Sequence, residues 1–231
     1  NLYVIKKGKS PKILISAHMD EIGVIVTDID ENGFLRIAPV GGIKERYLIG
    51  QRVRFKNQIV GVVYNEALNG KEKVEWSKMY VDIGAEGKDT AGEIIRVGDL
   101  ACSDQPFVKL NGRRYAGKAM DNRAGCAVLV ELIKRLPDKL PVQVCFLFST
   151  QEELGLRGAK VAAFRYEPDY GLAVDVTMVG DTPKSSTMAV HLGKGPAIKV
   201  KDKSIMTDTR LRRMMERVAE ENLINYQLEV L

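Results

Sequence analysis

From residue 142 to 148 the chain reads Val-Gln-Val-Cys-Phe-Leu-Phe, an apolar run of strand length rich in β-branched and aromatic side chains. Residues 12–17 (Lys-Ile-Leu-Ile-Ser-Ala) and 170–174 (Tyr-Gly-Leu-Ala-Val) share that character, and 197–200 follows as a further strand. Helical spacing lies between and after them. Within 124–136, Val128, Leu129, Leu132, Ile133 and Leu136 recur on one face before Pro137 ends the pattern. Residues 158–164 predict a short helix, and 210–221 offers Leu211, Met214, Met215 and Val218 as one helix face. Alternating strands and helices predict an α/β fold.

Residues 22–114 have a different texture. Short apolar pieces at 24–26, 34–37, 52–55, 59–64 and 79–84 are broken by Asn32-Gly33, Gly41-Gly42, Asn57 and Asn69-Gly70. That pattern predicts a small β-rich domain with tight turns and exposed strand edges. The first strand precedes this stretch and the other strands of the α/β pattern follow it, so the chain reads as an α/β domain, 1–21 and 115–231, interrupted by a β-rich insert, 22–114. Gly70-Lys71 lacks the upstream glycine of a phosphate loop.

Composition narrows the classes. With 231 residues, 45% apolar and 28% charged, the chain can bury a proper core. Its net charge of +5 is spread without a basic block, which argues against nucleic acid as a partner. Cys102, Cys126 and Cys145 share no CxxC spacing, so a reducing, cytoplasmic compartment is the simpler expectation. No run has the length of a membrane span, and the first residues do not read as a signal peptide. The chain starts at Asn1 without Met and stops at Leu231, and both ends read as cut.

The chemistry collects where the strands end. Residues 12–17 run into His18-Met19-Asp20, 142–148 into Ser149-Thr-Gln-Glu152-Glu153, and 170–174 into Asp175. In open α/β sheets ligand sites gather at that edge. Taken singly, each residue has a bland use: His18 as a hydrogen-bonded core residue, Asp121 as a helix N-cap, Glu152-Glu153 as a solvated first turn, Asp175 as a turn cap. Together, His18, Asp121, Glu153 and Asp175 supply the imidazole and carboxylates of a zinc or cobalt pair, with Asp20 placed to orient His18 and Glu152 left as a base. The insert contributes no member of this set. His191, the other histidine, reads as a residue of a strand over 188–192.

Four segments, Ala17-His18-Met19-Asp20-Glu21-Ile22-Gly23, Ala119-Met120-Asp121-Asn122-Arg123, residues 150–159 (Thr-Gln-Glu-Glu-Leu-Gly-Leu-Arg-Gly-Ala) and Val174-Asp175-Val176-Thr177, occur in order along nearly the whole chain. Together with residues 192–198 (Leu-Gly-Lys-Gly-Pro-Ala-Ile), they resemble the motifs of the glutamyl aminopeptidase/cellulase-M family of co-catalytic metallopeptidases. The resemblance implies a mixed-sheet, phosphorylase/hydrolase-like catalytic domain with an inserted oligomerisation domain. It also implies two divalent metal ions per subunit, with His18 and Asp175 on one, Glu153 on the other and Asp121 bridging. Glu152 is then the general base toward a metal-activated water, and Asp20 orients His18. The family's last histidine ligand lies far downstream of the Asp175 position, beyond Leu231. The implied activity is release of N-terminal residues from short peptides, by subunits whose dimers assemble into hollow tetrahedral dodecamers. Two other classes stay open: an endoglucanase-type glycoside hydrolase, and a catalytically incomplete metal-binding assembly protein.

Overall fold

A computed structural model describes residues 1–66, 73–185 and 188–231; Asn69-Gly70 and Gly70-Lys71 lie outside the described residues. The chain forms two compact units, Asn1–Val176 and Thr177–Leu231. The first begins with β1 (Leu2–His18), β2 (Gly23–Ile29), β3 (Leu35–Val40), β4 (Arg52–Phe55), β5 (Val60–Asn65) and β6 (Met79–Asp82). It continues with α1 (Lys88–Ile94), β7 (Leu100–Ser103), β8 (Val108–Lys109), β9 (Tyr115–Ala116), α2 (Met120–Arg135), β10 (Lys139–Ser149), α3 (Arg157–Tyr166) and β11 (Tyr170–Ala173).

The sheet that carries the candidate site has the order β10-β1-β11. Residues 12–18 run parallel to β10, from Lys12 opposite Gln143 to His18 opposite Ser149, and Ile13 to Ser16 run parallel to Tyr170 to Ala173. β10 is apolar and buried from Val144 to Phe148 because both of its faces are covered there. Val144, Phe146 and Phe148 pack toward Leu129 of α2, while Cys145 and Leu147 pack toward Ala162 of α3. Full burial of Phe146 and Leu147 contributes about 1.5–3 kcal/mol each.

β1 is longer than the expected strand. Leu2 faces Phe148 and Lys6 faces Val144, a register that descends along β10 where the later one ascends, so Cys145 has both Ile5 and Leu14 as partners. The sheet is therefore mixed. Lysines at 6, 7 and 9 hide this arm in the sequence, yet the Lys6 side chain reaches Asp138 at 2.9 Å while its backbone pairs.

Six of the short strands close into a barrel, β2-β3-β6-β5-β4-β7, so the expected exposed edges are not present among them. Closure gives every strand two neighbours. Alternation along each strand fills the interior with Val24, Val26, Leu35, Ile37, Val53, Phe55, Val63, Met79, Val81 and Ala101. β7 is the strand that closes the barrel, pairing Ala101 with Val24 of β2 and with Phe55 of β4.

The second unit contains β12 (Ala197–Lys201), α4 (Thr209–Glu221) and β13 (Gln227–Val230). β12 and β13 pair in parallel as a two-stranded sheet of their own. Asp208 caps α4 by accepting from the N–H groups of Arg210 and Leu211. The Arg210 side chain and these N–H groups hold its carboxyl down at about 2. Residues 188–192 do not form the expected strand; Gln227 fixes this stretch instead, accepting from His191 N–H at 2.8 Å and donating to the His191 carbonyl at 3.0 Å.

Candidate metal centre

The ends of the three sheet strands are tied together by backbone and side-chain bonds before any metal enters. Met19 N–H donates to Ser149 O at 2.8 Å, joining the exits of β1 and β10. Asn122 donates from its side chain to Val174 O at 2.8 Å and accepts from Gly125 N–H at 3.0 Å, so the start of α2 is stapled to the exit of β11. A Cβ at Gly125 would lie 2.3 Å from Asn122 Oδ1 and 2.7 Å from Val174 O, which explains the glycine. Arg123 and Cys126 reach the β1 exit, at Met19 O (2.6 Å) and His18 O (3.1 Å). Asp121 is not a regular N-cap: it and Asn122 have non-helical backbone angles at the head of α2, and the Asp121–Asn122 peptide is cis.

These ties bring the expected residues together. His18, only 3% exposed, has Nε2 at 2.9 Å from Asp121 Oδ1 and at 3.8 Å from both Glu152 Oε2 and Asp175 Oδ1. Among the described residues, two groups have ligand atoms within 4.8 Å of one another: His18, Asp121 and Asp175, and His18, Glu152 and Glu153. Two donors sharing an ion at about 2.0–2.2 Å lie at most about 4.4 Å apart, so small side-chain shifts bring either group to one ion. One imidazole and several carboxylates suit zinc or cobalt. His191 belongs to neither group.

Asp20 does something different from the expected carboxylate–histidine contact. The His18 Nδ1 lies 3.1 Å from the backbone carbonyl of Asp20 and 3.7 Å from its carboxylate. That carboxylate accepts instead from Glu152 N–H (3.1 Å) and Glu153 N–H (3.2 Å). The strand turn after His18 thus holds the ring with its backbone and the glutamate pair with its side chain. Asn1, which carries no periodic signal in the sequence, pins the other end of the glutamate loop. Its side-chain oxygen accepts from Thr150 N–H at 3.0 Å and its amide nitrogen donates to Gly158 O at 2.8 Å.

Burial, and after it the crowding of charges, shifts the groups of the centre. Glu152 is pushed up from the usual carboxylate range, first by burial, then by the Asp175, Asp121 and Asp20 charges against the pull of His18. Glu153 is raised by burial first and then by Asp121 and Glu152. Burial is the largest single effect on His18 and lowers its pKa, but Asp175, Glu152, the Asp20 carbonyl and Asp121 together leave it raised. The signs give a prediction for the metal-free protein. A raised histidine stabilises the fold fully below its ordinary 6.5 and loses that contribution as pH rises through the raised value. Raised glutamates add stability as pH falls through their raised values toward 4.5. Thermal melts in chelator should therefore show greater stability at about pH 5 than at about pH 8. Saturating metal should reverse the trend, because protons then compete with the ions.

Comparison with known proteins gives the family. A family model described as M42 glutamyl aminopeptidase matches residues 1–231. A protein of Acetivibrio thermocellus is 52% identical over all of this chain and 70% of its own length. An aminopeptidase from the archaeon Desulfurococcus kamchatkensis superimposes with a TM-score of 0.93 at 36% identity, over 99% of this chain and 67% of that one. The Pyrococcus horikoshii TET1 peptidase, whose subunits assemble into a tetrahedron or a large octahedral shell, matches at 0.87 and 36%, over 99% and 71%. A Thermotoga maritima structure described as an endoglucanase is less similar, at 0.82 and 28%, over 99% and 70%. With a match along its whole length and a relative above half identity, the chain belongs to the M42 glutamyl aminopeptidase family.

Proposed function

We propose that this chain is the greater part of a metal-dependent aminopeptidase that removes N-terminal residues from short peptides. The convergence of His18, Asp121, Glu152, Glu153 and Asp175 at the exits of three strands carries the reading. In it, residues 1–21 and 115–231 belong to the catalytic domain and 22–114 to an inserted one. Two divalent ions, zinc or cobalt, would be held by His18 and Asp175 on one side and Glu153 on the other, with Asp121 shared between them. Bound there, they supply Lewis acidity toward a water and the scissile carbonyl.

The chain's own groups do the rest. His18, with its Nδ1–H donating to Asp20 O, turns the Nε2 lone pair toward Asp121 and Asp175. Glu152 takes a proton from the attacking water onto its carboxylate and returns it to the leaving amine. A raised pKa suits both tasks, since a more basic carboxylate takes the water's proton more readily and keeps it until the amine nitrogen accepts it as the C–N bond breaks. Asp20 fixes the base by binding the backbone N–H of Glu152.

The endoglucanase reading is the weaker one, since the Thermotoga maritima structure so described is less similar than the aminopeptidases. Trp76, the single tryptophan, packs against the barrel core and offers no sugar-stacking face at the centre. A metal-binding protein without turnover would have no use for a base beside the ligands. Hydrolysis of leucyl- and glutamyl-anilides against carboxymethylcellulose, by the full-length protein with added cobalt or zinc, tests the assignment. Metal-stimulated release of the anilide supports it, and cellulose cleavage without anilide hydrolysis would sink it. Among the described residues the six barrel strands leave no edge of their own for pairing subunits, so the proposed homo-oligomer, dimers assembling into a dodecamer, rests on the TET1 relatives, one of them a dodecamer and one a tetrahedron or octahedral shell. No helix of the described residues is long and apolar enough to cross a membrane.

A further inference from the structure

The turn that leaves the barrel after β3 reaches the metal centre. Gly41 sits there with a φ of +81°, and a Cβ on it would lie 2.8 Å from Ile22 Cγ2, 3.1 Å from Glu153 Cβ and 3.4 Å from Glu153 Oε2. Glu153 is thus enclosed from two directions: Asp20 holds its backbone N–H at 3.2 Å, and the bare backbone of Gly41 lies against its side chain. The next glycine, Gly42, has nothing within 4 Å of a Cβ, so the close approach belongs to one residue and not to the turn as a whole.

We propose that Gly41 is a positioning residue for the metal centre: the inserted barrel supplies the wall that sets the place of the Glu153 carboxylate. This rests on Glu153 being a ligand. A contact between 3.0 and 3.4 Å forces the neighbour to give by a few tenths of an ångström. Metal–ligand distances hold to within about 0.2 Å, so a shift of that size is felt at the ion. The insert, whose sequence offers no ligand, therefore takes part in the site through the absence of a side chain.

Three variants of the full-length protein separate this contact from backbone strain. Gly41→Ala meets Glu153 and carries positive-φ strain. Gly84→Ala, at φ +75° with nothing within 4 Å, carries the strain alone, and Gly42→Ala changes the same turn in open space. Cobalt(II) titration followed by visible absorption, with thermal melts in parallel, reads the outcome. Gly41→Ala should weaken at least one of the two cobalt equivalents by about tenfold or more and alter its absorption bands. Gly84→Ala and Gly42→Ala should bind as the wild type does. Equal weakening in Gly84→Ala, or unchanged binding in Gly41→Ala, overturns the proposal. If Gly41→Ala fails to fold, Gly41→Ala/Ile22→Ala removes the 2.8 Å clash and keeps the Glu153 contact; wild-type cobalt affinity in that protein overturns it equally. A wild type that binds cobalt and cleaves anilides leaves the peptidase reading intact whatever Gly41 does, whereas a wild type that binds no cobalt sinks both.

Discussion

Replacing Glu152 by Gln is expected to lower kcat by about 10²–10⁴-fold while the protein keeps its full complement of metal. The substitution preserves size and removes the carboxylate's charge together with its ability to take up a proton. Glu152 Oε2 lies 3.8 Å from His18 Nε2, beside the ligands yet farther from the ring than Asp121 Oδ1 at 2.9 Å. The backbone of the base stays anchored, because its N–H bond to Asp20 does not involve the side chain. KM should change little, since an interaction made only in the transition state is lost from kcat and kcat/KM equally. Anilide hydrolysis measured alongside metal content decides the matter. A variant that turns over as fast as the wild type removes Glu152 from the role of base, and one that loses metal makes it a ligand.

Much of this site was legible in the sequence because the elements that build it obey strong local rules. A strand buried on both faces is apolar along its covered stretch, and residues 142–148, apolar but for Gln143, announce that directly. The placement of His18, Glu152 and Asp175 just at or beyond strand exits follows once the three strand-length apolar runs are recognised. What escaped had no periodic signature. The first arm of β1 is masked by lysines whose charges stay solvated or paired while the backbone joins the sheet. β13 is four residues long, too short for a pattern to emerge. Asn1 and Gly41 act through single contacts that only the folded chain creates, the one by closing the glutamate loop and the other by leaving room beside Glu153. Asp20 was legible as a member of the site, but its partners were not. A carboxylate two residues after a histidine has the ring and neighbouring backbone N–H groups as competing donors, and here the N–H groups of Glu152 and Glu153 take it.

Asp121→Asn should fail at an earlier stage than Glu152→Gln, by losing metal before chemistry begins. A bridging carboxylate offers one oxygen to each ion and a full negative charge between two cations, and an amide keeps one acceptor oxygen with no charge. The Asp121 carboxylate is well placed for that loss to be large, since its Oδ1 is the nearest carboxylate oxygen to His18 Nε2 among the described ion pairs. Its backbone, meanwhile, is fixed independently: Asn122 holds Val174 O and Arg123 holds Met19 O, so the variant should fold with the head of α2 in place. Metal affinity is expected to drop by about 100-fold or more at both positions, above the 10–100-fold loss typical of outer-shell partners. Activity should fall to background and return only in part at high cobalt. Asp121→Glu restores the charge but lengthens the side chain by a methylene, and a displacement near 1 Å at a reacting centre costs about 10²-fold, so it should regain metal more than turnover. The two positions are thereby separable on the same pair of measurements, with metal kept and turnover lost at Glu152, and both lost at Asp121. Retention of both ions by Asp121→Asn at wild-type affinity would remove Asp121 from the bridge.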